Sequence, residues 1–190
     1  MKNLIAGVDE VGRGSLVGPV YAAAVIFKNK LGKKKLKDSK KLSKKNREML
    51  EKYIKKNSYW SIASASLKEI EKLNILNASL LAMKRAIIKL NKKPKQVLVD
   101  GNKVPKIKNY NLKFVIKGDE KIPEISAASI IAKVSRDRLI TKMSKKYIKY
   151  SWNKNAGYGT KDHLSAIKKF GITKHHRKTF KPIHNILSLK

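Results

Sequence analysis

Cysteine is absent from the 190 residues, which excludes disulfides and thiolate metal sites and fits a reducing cytoplasm. Acids are scarce: 13 Asp and Glu stand against 46 Lys and Arg, and there are only 4 His. No HExxH spacing occurs, which excludes a zincin, and no GxxxxGK[ST] loop occurs, which removes support for P-loop nucleotide hydrolysis. No apolar stretch approaches the roughly 18–20 residues that span a bilayer. The opening MKNLIAGVDE reaches charged residues too soon for a signal peptide. A cytoplasmic chain with no membrane contact is therefore expected. With no heptad run or exposed apolar stripe, it is expected to be a monomer with no obligate protein partner.

What is present points to a globular protein. Apolar residues make up 42 % of the chain, enough for one domain with a sizeable core. The net charge is +33, which favours a polyanionic partner through phosphate neutralisation. Only six of the 46 basic residues are arginine, and the excess of Lys, Asn and Ile is a bias that an AT-rich genome imposes on any surface. Part of the charge is therefore compositional, and nucleic acid is favoured by it without being shown.

Apolar runs at 4–8 and 17–27, separated by Gly12-Arg13-Gly14-Ser15, read as strand, turn, strand. Residues 28–41 are lysine-dominated and read as a loop. Ser43 reads as the N-cap of a helix with Met49, Leu50, Tyr53 and Ile54 on one face. A strand is expected at 59–64, and Ser66 with Glu69 has the spacing of a capping box. The longer helix that follows carries a core stripe of Leu76, Leu80, Met83, Ile87 and Leu90. Strands are expected at 96–99 and 113–116, then a helix over 124–147 and a short helix capped by Thr160 and ended by Gly171. Residues 172–190, with His175, His176 and Arg177, read as an appended arm, and these histidines and His184 as surface or phosphate contacts. The pattern implies an α/β or α+β domain.

Three acids share one context, because Asp9, Asp100 and Asp119 each follow an apolar or nearly apolar strand. Neighbouring strand ends lie side by side, so the three carboxylates can converge. Their repulsion is relieved if a cation sits among them. Oxygen ligands without Cys favour Mg²⁺ or Mn²⁺ over zinc. Glu10 adds a ligand if the chain bends after Asp9, since in a regular strand the two side chains face opposite ways. The competing reading, in which each Asp caps a turn or helix, is the better one for any single acid. Recurrence at three strand ends in a chain this poor in acids favours a metal site for phosphoryl chemistry.

Ala6-Gly7-Val8-Asp9-Glu10-Val11-Gly12-Arg13-Gly14 resembles the N-terminal motif of type 2 ribonuclease H, bacterial ribonuclease HII. The resemblance continues through Asp38-Ser39-Lys40-Lys41-Leu42-Ser43, Asn74-Ile75-Leu76-Asn77-Ala78, Leu98-Val99-Asp100-Gly101-Asn102 and Lys117-Gly118-Asp119. It extends through ISAASIIAKVSRD at 125–137, Gly157-Tyr158-Gly159-Thr160 and His176-Arg177-Lys178-Thr179-Phe180. These motifs stand in the family's order over nearly the whole chain.

The resemblance implies a ribonuclease H-like fold, a central mixed sheet flanked by helices. It implies a catalytic core at 1–150 and a short helical C-terminal segment at 151–190 that completes the substrate groove in one compact unit. It implies two-metal cleavage of RNA in RNA–DNA hybrids, and nicking of duplex DNA 5′ of embedded ribonucleotides. The products would carry 3′-hydroxyl and 5′-phosphate ends. The family's carboxylates map onto Asp9, Glu10, Asp100 and Asp119. Asp137 matches a further acid that either ligates metal, anchors Arg136 or Arg138, or forms a helix-surface ion pair. The Gly12-Arg13-Gly14 backbone and Tyr158 would contact the 2′-hydroxyl at the junction, the feature that separates RNA from DNA. Lys40, Lys41, Lys133, Arg177 and Lys178 are candidate phosphate contacts. Asn155-Ala156 stands where relatives often carry His-Lys, which bears on how the tyrosine loop is positioned.

Overall fold

The computed structural model describes residues 4–29 and 43–188. The 28–41 loop, apart from its first two residues, and the candidates Lys40 and Lys41 lie outside that set. Five strands form one sheet: β1 (Ile5–Val11), β2 (Val20–Phe27), β3 (Ser58–Ala65), β4 (Gln96–Asp100) and β5 (Leu112–Val115). Their order is β3-β2-β1-β4-β5. β1 runs antiparallel to β2 and parallel to β4, so the sheet is mixed as expected.

The alternation of β2 explains the layering. Ala22, Ala24 and Ile26 face one side and pack with Ala78, Ala82, Met83 and Ile87 of helix α2 (Leu67–Ile88). Ala23, Val25 and Phe27 face the other and pack with Ala127, Ile130, Ile131 and Val134 of helix α4 (Pro123–Ser144). A strand buried on both faces reads as an unbroken apolar run, as residues 20–27 do. Small side chains on α4 let it lie close to the sheet. A Cβ at Gly7 of β1 would come within 2.1 Å of the Glu124 backbone, so only glycine admits α4 there.

Capping follows the sequence. Ser43 accepts from the Asn46 amide and starts α1 (Lys44–Asn57). Ser66 and Glu69 complete a capping box, and Thr160 caps α6 (Lys161–Phe170). α2 breaks at Asn74, whose φ is 64° and whose Oδ1 accepts from the Asn77 amide, so it is two helices in succession. Two facial assignments differ. In α1, Met49 is exposed and Glu51 is buried instead, because Arg138 and Lys55 close on its carboxylate at 2.6–2.9 Å. In α2, the closest packing runs through Ala78, Ala82 and Ala86, while Leu80 and Leu90 are only partly buried.

Residues 172–190 are not an appended arm as far as residue 188. Helices α5 (Trp152–Asn155), α6 and α7 (Lys181–Ser188) share a third core cluster with Leu16, Val17 and Ile140. A β-bridge between Val17 and His176 ties the segment to the stretch between β1 and β2. His176 and His163 are buried, contrary to the surface role expected for His176. Thr173 N–H donates to His176 Nδ1 and Trp152 Nε1–H to His163 Nε2, so the two imidazoles sit in an aromatic cluster with polar partners. None of the described helices is long and apolar enough to cross a membrane.

Candidate active site

β1 and β4 are parallel neighbours whose last paired residues are Val8 and Val99. Asp9 and Asp100 are the next residues on each strand, so they stand side by side at the carboxyl end of the sheet. Asp9 shares a face with Gly7, is 6 % exposed and accepts from a Ser129 hydroxyl on α4. Burial raises its carboxyl well above the usual carboxylate range, and the neighbouring Glu10 and Asp100 charges raise it further. The bend expected between Asp9 and Glu10 is absent. β1 continues in register with β2 through Val11, and the chain turns only at Gly12. Glu10 is therefore on the opposite face from Asp9. Its carboxyl is raised by burial, an effect opposed by Arg13, whose Nη1 donates to Oε1 at 3.0 Å.

Asp119 is not at a strand end. β5 stops at Val115, and Asp119 lies half-buried in the first turn of α3 (Gly118–Lys121). Its neighbour Gly118 donates its amide to Asp100 Oδ1 at 2.7 Å, which ties α3 to the end of β4. Among the described residues no three Asp, Glu or His side chains stand at a spacing that closes round an ion. Asp9 accepts from the Glu10 amide, Glu10 from Arg13, and Asp100 from Gly118. The donor set nonetheless suits a hard divalent cation. It is all oxygen, and it contains a buried carboxylate whose like-charged neighbours make ionisation costly until a cation balances them.

Asp137 anchors neither Arg136 nor Arg138. It accepts from Lys133 Nζ at 2.9 Å, one helical turn away, and lies 3.9 Å from Arg47 Nη1, the ion-pair alternative. Lys133 is held by that pair and sits 5.8 Å from the centre of the Tyr158 ring. Lys178 is exposed.

The turn at 12–14 and Tyr158 come together. A β-bridge joins Ser15 to Tyr158, and Leu16 N–H donates to Gly157 O at 2.8 Å. Asn155 holds the tyrosine loop by accepting from the Gly157 amide and donating to Tyr150 O, so Asn155-Ala156 gives this loop its own anchor. His163 Nδ1 lies 2.8 Å from Tyr158 O. Gly12 has φ +92°, and a Cβ there would fall 2.2 Å from Arg136 Nε, so glycine is required at 12 by backbone and packing alike. Gly14 is exposed, with nothing closer to its Cβ position than Tyr158 at 3.9 Å.

Arg177 does not reach out to phosphate. It is fully buried, donating Nε to Gly18 O and Nη1 to Arg13 O, each at 2.9 Å, while Nη2 has no partner among the described residues. Arg136, also fully buried, donates to Ser15 Oγ at 2.7 Å, Val17 O at 2.9 Å and Ala156 O at 3.0 Å. Burial, and then the Arg136 charge, pulls Arg177 down to about 9, so it remains a cation at neutral pH; burial lowers Arg136 as well. Arg136 was not expected at the site, although it lies in the 125–137 motif and is one of only six arginines.

The family model for ribonuclease HII matches residues 6–183. Ribonuclease HII of Pelagibacter ubique is 71 % identical over 184 residues, covering 97 % of this chain and 99 % of that protein. The enzyme of Neisseria meningitidis serogroup B is 47 % identical over 189 residues, covering 99 % and 97 %. Among solved structures, ribonuclease H2 from Pyrococcus horikoshii OT3 superposes with a TM-score of 0.82 at 28 % identity, covering 98 % of both chains. Ribonuclease HII from Archaeoglobus fulgidus, solved in complex with PCNA, gives 0.82 at 28 % identity and covers 96 % of both. A ribonuclease HIII solved with Mn²⁺ shares the fold at 17 % identity, with a TM-score of 0.75 over 98 % of this chain and 70 % of that one. With a family model matching almost end to end on a mixed sheet that sets acids beside the glycine turn, this chain belongs to the ribonuclease HII family of hydrolytic endonucleases.

Proposed function

We propose that this chain nicks duplex DNA on the 5′ side of an embedded ribonucleotide and cleaves the RNA strand of RNA–DNA hybrids, leaving 3′-hydroxyl and 5′-phosphate ends. The observation that carries the reading is the β-bridge between Ser15 and Tyr158. It sets an aromatic side chain beside a glycine turn that begins two residues after the acidic pair, so phosphodiester chemistry and sugar recognition share one edge of the sheet. Asp9, Glu10, Asp100 and Asp119 would hold two divalent ions, Mg²⁺ or Mn²⁺, which when bound activate a water and stabilise the leaving oxygen. Glu10, which lies on the opposite face of β1 from Asp9, must leave Arg13 and reach round the end of the sheet to serve as a ligand, freeing the exposed Arg13 guanidinium for a substrate phosphate. Gly14 offers a backbone edge without a side chain, which a ribose can approach closely. Tyr158 supplies a flat apolar surface for the next sugar. It comes from the C-terminal segment, which on this reading completes the groove.

The test is a panel of end-labelled duplexes in Mg²⁺: one with a single ribonucleotide, one with a continuous RNA strand, and one all-DNA. Cleavage of the first two, with the single-ribonucleotide duplex nicked on the 5′ side of the ribose, is expected. Cleavage of the continuous hybrid alone would refute ribonucleotide nicking. Binding to all three without cleavage would refute catalysis.

A further inference from the structure

The two buried guanidiniums do not behave as an ordinary core ion pair. Their donors go to carbonyls and a hydroxyl of the 12–19 stretch and of Ala156, and none of these partners is a carboxylate. Two cations thus lie buried side by side, and Arg177 Nη2 has no hydrogen-bond partner among the described residues. Burying such charges is costly, and a hydrophobic pair of the same size would serve packing better. Their contacts show what the arrangement achieves.

Arg177 Nη1 draws the Arg13 carbonyl inward at 2.9 Å. That carbonyl and the Gly14 amide belong to one peptide group, and no cis bond occurs among the described residues. In a trans peptide the C=O and the following N–H point in opposite directions. Holding the carbonyl in therefore turns the Gly14 N–H out, on an exposed residue where it has no partner among the described residues. Arg136 braces the other side. It fills the space a side chain at residue 12 would need, and it bonds to Ala156 O two residues before Tyr158. Its guanidinium carbon lies 5.7 Å from the centre of the Tyr158 ring.

We infer that Arg177 and Arg136 are a positioning pair that aims the Gly14 amide and Tyr158 at the 2′-hydroxyl of the substrate ribonucleotide. This rests on the proposed ribonucleotide reading and extends it to residues that touch no substrate. Lysine at 177 keeps the charge but cannot fork to Gly18 O and Arg13 O together. The carbonyl of residue 13 is then free to rotate, and the amide loses its aim.

The experiment compares wild type with Arg177→Lys on duplexes carrying one ribonucleotide or one 2′-fluoro nucleotide at the same position. Fluorine is a far weaker acceptor than a hydroxyl oxygen. The ratio of kcat/KM for the hydroxyl and fluoro substrates therefore reports the amide contact, whereas a general loss of stability lowers both rates together. Expected is a ratio at least about tenfold smaller in Arg177→Lys, since each tenfold step corresponds to one hydrogen bond of ordinary strength. An unchanged ratio in a folded variant would overturn the positioning role. Absence of ribonucleotide cleavage by wild type would instead overturn the functional reading, and this inference with it. Should Arg177→Lys not fold, the side-chain Nε–H signals of ¹⁵N-arginine wild type, six in number, serve instead. With Ca²⁺ as the ion, the Arg177 signal is expected to move on adding the ribonucleotide duplex and not the all-DNA duplex, and equal response to both would refute the inference.

Discussion

Replacing Asp9 by asparagine should stabilise the metal-free protein while abolishing its activity. The side chain is 6 % exposed, and its carboxylate faces the Glu10 and Asp100 charges with one backbone amide and one hydroxyl as donors. Asparagine keeps an acceptor for the Glu10 amide and removes the like charge. Relieving an imperfectly compensated buried charge contributes about 1–3 kcal/mol. For a domain of this length that is a rise in Tm of about 2–10 °C.

The sign depends on pH. Asp9 has a folded pKa raised above its ordinary 3.8, so the wild-type penalty is full above the folded value and shrinks as pH falls through it. The advantage of the variant should be gone once pH drops below 3.8 and grow as pH rises toward the folded value. Divalent cation reverses the order. Saturating Mg²⁺ stabilises wild type by mass action, about 2.7 kcal/mol at a hundredfold excess over Kd, and the variant far less. Thermal melting by circular dichroism, in chelator and in Mg²⁺, reads both arms. Nicking should fall at least about a thousandfold, roughly 4 kcal/mol of transition-state stabilisation. A lower Tm for the variant in chelator, or nicking within tenfold of wild type, would refute the electrostatic account of the pair.

Three further outcomes follow from the same geometry. Gly12→Ala should lose about 2–4 kcal/mol, because it combines left-handed backbone with a Cβ 2.2 Å from Arg136 Nε, and chemical denaturation would measure it. Tyr158→Ala should cut single-ribonucleotide duplex about 5–150-fold more slowly, the factor that about 1–3 kcal/mol of lost stacking implies, with little change in Tm. His176 is buried, and burial followed by the His163 charge holds it at about 4 against 6.5 unfolded. Because its folded value is depressed, stability is retained above 6.5 and lost as pH falls toward 4, by up to about 3 kcal/mol. His176→Gln should flatten that acid limb in a series of melting curves, and an unchanged limb would assign the acid sensitivity elsewhere.

Much of the fold could be read along the chain because its signals are local. Caps at Ser43, Ser66 and Thr160, and apolar runs at 4–8 and 17–27, depend on residues within a turn or a strand of one another. The acids were legible for a different reason: thirteen in 190 residues left few that could be filler. The failures share a cause as well. Apart from the Arg136 bond to Ala156, 20 residues on, Arg136 and Arg177 bond to partners 117–164 residues away in sequence, and no local pattern encodes such contacts. Arginine is rarely buried without an acid, so its rarity and its place in the 176–180 motif pointed Arg177 toward phosphate. Asp119 looked like a strand-end residue because β5 is short, and the one-turn helix that carries it is too brief to leave a periodic signature. The expected bend at Asp9-Glu10 failed because β2 pairs with β1 beyond the pair and holds it straight.

The claim that these carboxylates hold the ions that act on the scissile phosphate is tested most directly by sulfur substitution. A duplex with one ribonucleotide is made with a phosphorothioate at the scissile position, and each diastereomer is cleaved in Mg²⁺ and in Mn²⁺. Mg²⁺ binds sulfur poorly and Mn²⁺ accepts it better, in keeping with their hardness. One diastereomer should be slowed at least about tenfold in Mg²⁺, a loss of about 1.4 kcal/mol or more, and recover in Mn²⁺. Equal rates for oxygen and sulfur in Mg²⁺, or a slowing that Mn²⁺ leaves in place, would contradict the account.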